Sequence, residues 1–193
     1  MEITKNYKNR KEITSILSLS LEKHINPKSD TRVYYAKEVT FDYATGHSFR
    51  VDFMQFKPKN NSISGIEKGD FYCFEIKSSI EDFRSKNGHN FIGDYNYYIM
   101  PQEVYDIVKK EIPYFVGVYI PISKNHTNEW YILECVKKAR KQDRTRPIYE
   151  MLFMLFRSSS RDILKGKEKE KRKEKQETTI KKGSDILKDE IIF

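Results

Sequence analysis

The stretch "FYCFEIKSSIEDF", residues 71–83, decides how the chain is read. Phe71, Tyr72, Cys73, Phe74 and Ile76 are aromatic and apolar, which predicts a strand ending near Lys77. Alternate residues of a strand project from one face, roughly 6–7 Å apart. Glu75 and Lys77 therefore stand side by side on a strand otherwise suited to burial. Burying one charge is costly, and burying a pair is seldom a net gain. Two readings follow: an ordinary solvated ion pair on an exposed face, or a site. The apolar flanks favour the site, as does a helix that starts at once, capped by Ser78 or Ser79 with Glu81 and Asp82 in its first turn.

Upstream, "TRVYYAKEVTFDY" (31–43) and "SFRVDFMQFKP" (48–58) predict two strands joined through "ATGH", a hairpin. In the second, alternation puts Phe49, Val51, Phe53 and Gln55 on one face and Asp52, Met54 and Phe56 on the other. If this strand neighbours 71–77, Asp52 and Glu75 converge on one point. Close carboxylates repel unless a cation sits between them, and oxygen donors favour Mg²⁺ or Mn²⁺. Sharing one ion requires their oxygens about 4–5 Å apart, given metal–oxygen bonds of about 2.1 Å. Lys77 would then stand beside a metal-bound water or a phosphate, the parts that phosphodiester hydrolysis needs.

Residues 10–25 predict a helix with Ile13, Ile16, Leu17 and Leu21 on one face. The segment "KNNSISGIEKGD" reads as a polar loop, and the helix after Lys77 runs to about Lys86. "NGHNFIGD" reads as a glycine-containing loop. Then come a strand (95–101), an amphipathic helix (102–112), strands at 114–122 and 128–138, and an apolar helix at 147–166. This order predicts an α/β fold with a mixed central β-sheet flanked by helices.

The order Asp52, then Glu75-Ile76-Lys77, across strand, strand, helix and strand resembles the PD-(D/E)xK nuclease superfamily. The longer string "FEIKSSIEDFRSKNGHNFIGDYNYYIMP" is similar to the MmcB-like DNA-repair endonucleases of that superfamily, in which "EIKSS", a short "DFR" helix and a strand ending in proline recur. The resemblance covers roughly residues 10–122 and implies a restriction-endonuclease-like fold and Mg²⁺-dependent cleavage of DNA. Carried over, Asp52 and Glu75 ligate the metal with the carbonyl of Ile76, and Lys77 is the catalytic lysine. Val51 stands where many members have proline.

The superfamily often adds an acidic residue from the first helix. Glu12 borders the apolar face of helix 10–25 and is preferred to Glu22, which points nearly opposite; Glu38 on the first strand is a further candidate. Arg84, Lys86, Asn87, His89 and Asn90 are expected to hold backbone phosphates. The alternative is a DNA-binding module that keeps the fold without cleaving. His24 reads as a core histidine. Tyr95, Tyr97 and Tyr98 read as core packing plus a rim.

The chain carries a net charge of +8 and a pI near 9.2, which favours an anionic partner. Residues 165–182 hold nine Lys and Arg against four Glu, so most of that charge belongs to the tail. This divides the chain into a nuclease-like domain, 1–164, and a charged tail, 165–193. The final "DILKDEIIF" carries apolar residues suited to docking. Cys73 and Cys135, in apolar strands, read as reduced core residues, and no Cys/His metal cluster occurs. No apolar run is long enough to span a membrane. The N-terminus lacks the apolar stretch of a secretory signal, so a cytoplasmic location is expected. The C-terminal strands and helix either extend the sheet or form a homodimer contact.

Overall fold

The computed structural model describes residues 9–127 and 129–166. A helix α1 (Arg10–Ile25) opens the fold, capped by the Asn9 side chain, which accepts from the Glu12 N–H. Six strands follow: β1 (Tyr34–Phe41), β2 (Phe49–Lys57), β3 (Asp70–Ile76), β4 (Tyr95–Ile99), β5 (Gly117–Lys124) and β6 (Tyr131–Lys137). The helices between them are α2 (Ile63–Glu67), α3 (Ile80–Arg84) and α4 (Gln102–Val108), and a last helix, α5, covers 148–166. Most of the charged run and the terminal "DILKDEIIF" lie outside the described residues.

The strands form one sheet in sequential order. β1–β2, β2–β3 and β5–β6 are antiparallel, whereas β3–β4 and β4–β5 are parallel. The parallel pairs are the ones whose connections carry α3 and α4, because a parallel return needs a crossover. The expected mixed α/β sheet is therefore the observed architecture. The C-terminal strand extends this sheet, and α5 packs Met151 and Leu155 against it. Among the described residues, no helix is long and apolar enough to cross a membrane.

Alternation along β3 sends Phe74 and Ile76 towards α1, where they meet Ile13, Leu17 and Leu21. Phe71 and Cys73 face the other way, into a cluster with Met54, Phe56 and α5. A third cluster joins Phe83 of α3 and Val104 and Val108 of α4 to Tyr98, Val118 and Ile120 of the sheet. Glu75 and Lys77, in phase with Phe71 and Cys73, lie on the side opposite α1.

Two expectations change. The segment read as a polar loop contains α2, whose start is capped by the Ser62 hydroxyl accepting from Gly65 N–H. Val51 does not share a face with Phe53; it packs with Met54 and Phe56. The cause is Glu38, which adopts a left-handed φ of 51°. Pairing is regular on either side, Lys37↔Phe53 and Val39↔Val51, so Glu38 sits across from Asp52 at a bend where the alternation slips. In β5, Pro121 lies beside a register shift, a position that tolerates its missing N–H.

Candidate active site

The β2–β3 ladder ends at Phe53↔Phe74. One residue further on, Asp52 and Glu75 are opposite each other but do not continue it. Instead the Asp52 carboxylate accepts the main-chain N–H of Ile76, at 2.9 Å. A side chain thus completes what the strand leaves open, and Asp52 is fixed against the end of β3.

Glu75 is nearly buried, at 7% exposure, beside Asp52. Burial, then the charge of Asp52, and a hydrogen bond between the two side chains push its carboxyl up to about 9, against an ordinary 4.5. Asp52 is itself raised by burial, opposed by the Ile76 N–H and the charges of Arg50 and Lys77. At neutral pH Glu75 therefore keeps its proton beside Asp52. Lys77 is 2% exposed, and burial lowers its amine, opposed by the charges of Asp82, Glu75 and Asp52. Its Nζ donates to the carbonyls of Asn87 and Asp82. The expected trio does converge.

Its hollow is covered on the lysine side. Gly88, at φ 70°, lies over it: a Cβ built there would be 2.9 Å from Glu75 Oε2 and 2.9 Å from Lys77 Nζ. Glycine suits both the left-handed backbone and that approach. The open side is that of Asp52. There a cavity of about 830 Å³, bordered by Asp52 and Ile76, lies between α1, the bend of β1 and α5.

The phosphate-contact set divides. Lys86 and Asn87 are exposed, and Arg84 is exposed but engaged with Glu111 at 2.6 Å. The Asn90 amide donates to the Arg50 carbonyl. His89 corrects the expectation: it is turned inward. One ring nitrogen meets Tyr98 Oη at 2.5 Å; the other meets the carbonyls of Phe83 and Ser85. The ring also packs edge-on against Phe83, Phe91 and Tyr98. His89 anchors the covering loop and has no nitrogen left for a phosphate. Tyr98 is fully buried beside it, and Tyr95 and Tyr97 are partly buried, as the core-and-rim reading expects. His24, expected in the core, is exposed, with its ring edge-on to Tyr119.

Of the acidic residues on α1, Glu12 is exposed at the first turn, where its carboxylate accepts from the Asn9 amide. Glu22 borders the cavity with Asp52 and Glu38, pairing with Lys37 and accepting from Tyr35 Oη. Asp82 escaped notice as part of the site. Its carboxylate accepts from the N–H and hydroxyl of Ser78 and pairs with Arg10, while its carbonyl holds Lys77. The Ser79-x-x-Asp82 spacing of a helix-capping box is the signal for it, with the Asp82 N–H donating to Ser79 Oγ.

Asp52, Glu75 and the Ile76 carbonyl make a hard-oxygen donor set, which suits Mg²⁺ or Mn²⁺. Among the described residues, no group of three or more His, Cys, Asp or Glu is gathered to hold a metal ion. The candidate thus rests on two carboxylates and a carbonyl, with room on the cavity side for water and phosphate oxygens.

No family model matches the chain. No curated protein matches it either. A solved structure of a protein of unknown function from Silicibacter pomeroyi is similar over 82% of this chain and 90% of its own, at 20% identity and a TM-score of 0.49.

Proposed function

We propose that the chain is a metal-dependent endonuclease that hydrolyses DNA phosphodiester bonds, with a restriction-endonuclease-like arrangement of its sheet and helices. One observation carries the reading: Asp52, held by the Ile76 N–H, and the buried Glu75 stand across from each other where the β2–β3 ladder ends, with Lys77 two residues on. A pair of acids kept this close costs stability in the free chain and becomes favourable when a divalent cation replaces the proton. Asp52, Glu75 and the Ile76 carbonyl hold Mg²⁺ or Mn²⁺, which when bound polarises a phosphate and lowers the pKa of water.

The chain's own groups do the rest. Asp52 presents its carboxylate to the cavity while its other contact, to the Ile76 N–H, keeps it from swinging away. Lys77, held by the Asn87 and Asp82 carbonyls, would bring its ammonium to the transferring phosphate once the loop around Gly88 lifts. Lys86 and Asn87, exposed on that loop, meet the DNA backbone, with Arg84 joining them when it leaves Glu111.

The test is incubation with plasmid, single-stranded and branched DNA in Mg²⁺, Mn²⁺ or EDTA. Metal-dependent strand cleavage that Lys77→Ala abolishes supports the reading. Binding without cleavage on every substrate identifies instead a non-cleaving DNA-binding module on the same fold.

A further inference from the structure

The cavity beside Asp52 has walls unlike those of a phosphate groove. Thr14, Ser18, Glu22 and Asn26 form one stripe of α1 along it, and Tyr35 and Phe53 add two rings from the sheet. Five carboxylates border it, yet four are spoken for. Glu22 pairs with Lys37, Asp30 with Arg32, Glu38 with Arg50 and Asp162 with Arg161. Among the described residues, Asp52 is the lining carboxylate with no ion pair. Hydroxyls, amides, aromatic rings and neutralised charges suit a polar, uncharged ligand. Asp52 stands where the proposed metal would be, and Lys165 adds a cationic group to the lining. At about 830 Å³ the space lies within the roughly 300–1,000 Å³ range of small-molecule sites and is a pocket rather than a duplex-wide groove.

We infer that this pocket takes one unpaired nucleoside of the substrate strand, next to the scissile phosphate, so that single-stranded or frayed DNA is the substrate class. The inference rests on the nuclease reading for the identity of the ligand. A base lifted from its stack presents a hydrogen-bonding edge and an aromatic face, which are what the α1 stripe and the Tyr35 and Phe53 rings complement. Duplex DNA keeps those groups paired and stacked and is excluded from the pocket.

The test measures anisotropy of fluorescein-labelled oligodeoxynucleotides, single-stranded and duplex, of equal length and in EDTA. The probe proteins are the full chain, Ser18→Trp and Thr14→Trp, whose indoles fill the pocket from the polar face of α1. Thermal melts identify which variants are folded. The full chain is expected to bind the single strand at least about tenfold more tightly than the duplex. Either folded variant should bring the two within about twofold without weakening duplex binding. Equal affinities in the full chain overturn the inference, as does a preference that survives filling in a folded variant. The outcome is separable from that of the nuclease reading. A filling-sensitive preference without cleavage supports the pocket and sinks the nuclease; duplex cleavage unaffected by filling does the reverse.

Discussion

Asp52 accepts the N–H of Ile76 across the point where β2 and β3 cease to pair. The contact ties a charged side chain to the strand that carries Glu75 and Lys77, so the site's geometry is part of the sheet rather than of a loop. Asp52→Asn keeps an oxygen acceptor and removes the charge. It should fold with little loss of stability while any divalent-cation binding disappears. Asp52→Ala leaves the Ile76 N–H without its partner, at a cost of about 1–3 kcal/mol. Urea unfolding of the two variants distinguishes the roles: equal stabilities contradict the bond's structural importance.

The proton on Glu75 makes stability depend on pH in a definite direction. Its carboxyl lies at about 9 in the folded chain against an ordinary 4.5. Between those values the folded chain keeps a proton that the unfolded chain releases. Stability therefore falls as pH rises through that window, by at most about 1.4 kcal/mol per pH unit from this group. Glu75→Gln, neutral throughout, should match the parent near pH 4 and exceed it by a widening margin from pH 6 to 9. Burial raises Asp52 as well, so a smaller slope of the same sign remains in the variant. Denaturation midpoints across this range check the sign; a parent that gains stability relative to Glu75→Gln towards pH 9 contradicts it.

Gly88 sets how closely the loop covers Lys77. Alanine there meets Glu75 Oε2 and Lys77 Nζ at 2.9 Å and must also adopt a positive φ. Gly88→Ala is expected to cost about 1–3 kcal/mol and to lift the loop. Lys77 should then react faster with an amine-modifying reagent, read by mass spectrometry. Unchanged stability and unchanged labelling would show that the loop does not press on the site.

His89 and Lys86, three residues apart, should behave oppositely. His89→Ala removes its contacts with Tyr98, Phe83 and Ser85 together with its ring packing, a loss of about 2–3 kcal/mol in folding. Lys86→Ala should leave the melting curve unchanged and reduce the salt slope of DNA binding by about one. A His89 variant as stable as the parent, with weakened DNA binding, restores that residue to the phosphate-contacting set.

Period-two alternation and three charges on two adjacent strands made the sheet and the Asp52–Glu75–Lys77 convergence legible. Both depend on local pattern, and burial reinforces each. The bend at Glu38 was hidden because no glycine marks it; a glutamate holds the left-handed φ. That one residue turned Val51 to the other face. His89 misled for a related reason. A histidine between Gly88 and Asn90 reads as solvent-facing, and only the arrival of Tyr98 and the Phe83 carbonyl from elsewhere in the fold draws it in. In α5, Met151 and Leu155 are buried whereas Tyr149, Phe153 and Phe156 are exposed. A helix apolar on several sides does not announce which side docks. Glu22 entered the cavity through the shape of the β1 bend, which helix periodicity alone does not contain.

Metal uptake by the two acids tests the central claim most directly. Mn²⁺ titrated into the full chain at pH 7.5, followed by electron paramagnetic resonance and by calorimetry in two buffers of different ionisation enthalpy, counts ions bound and protons released. The account predicts one Mn²⁺ per chain with close to one proton released, and loss of that binding in both Asp52→Asn and Glu75→Gln. No bound ion, or an ion that both variants retain, contradicts it.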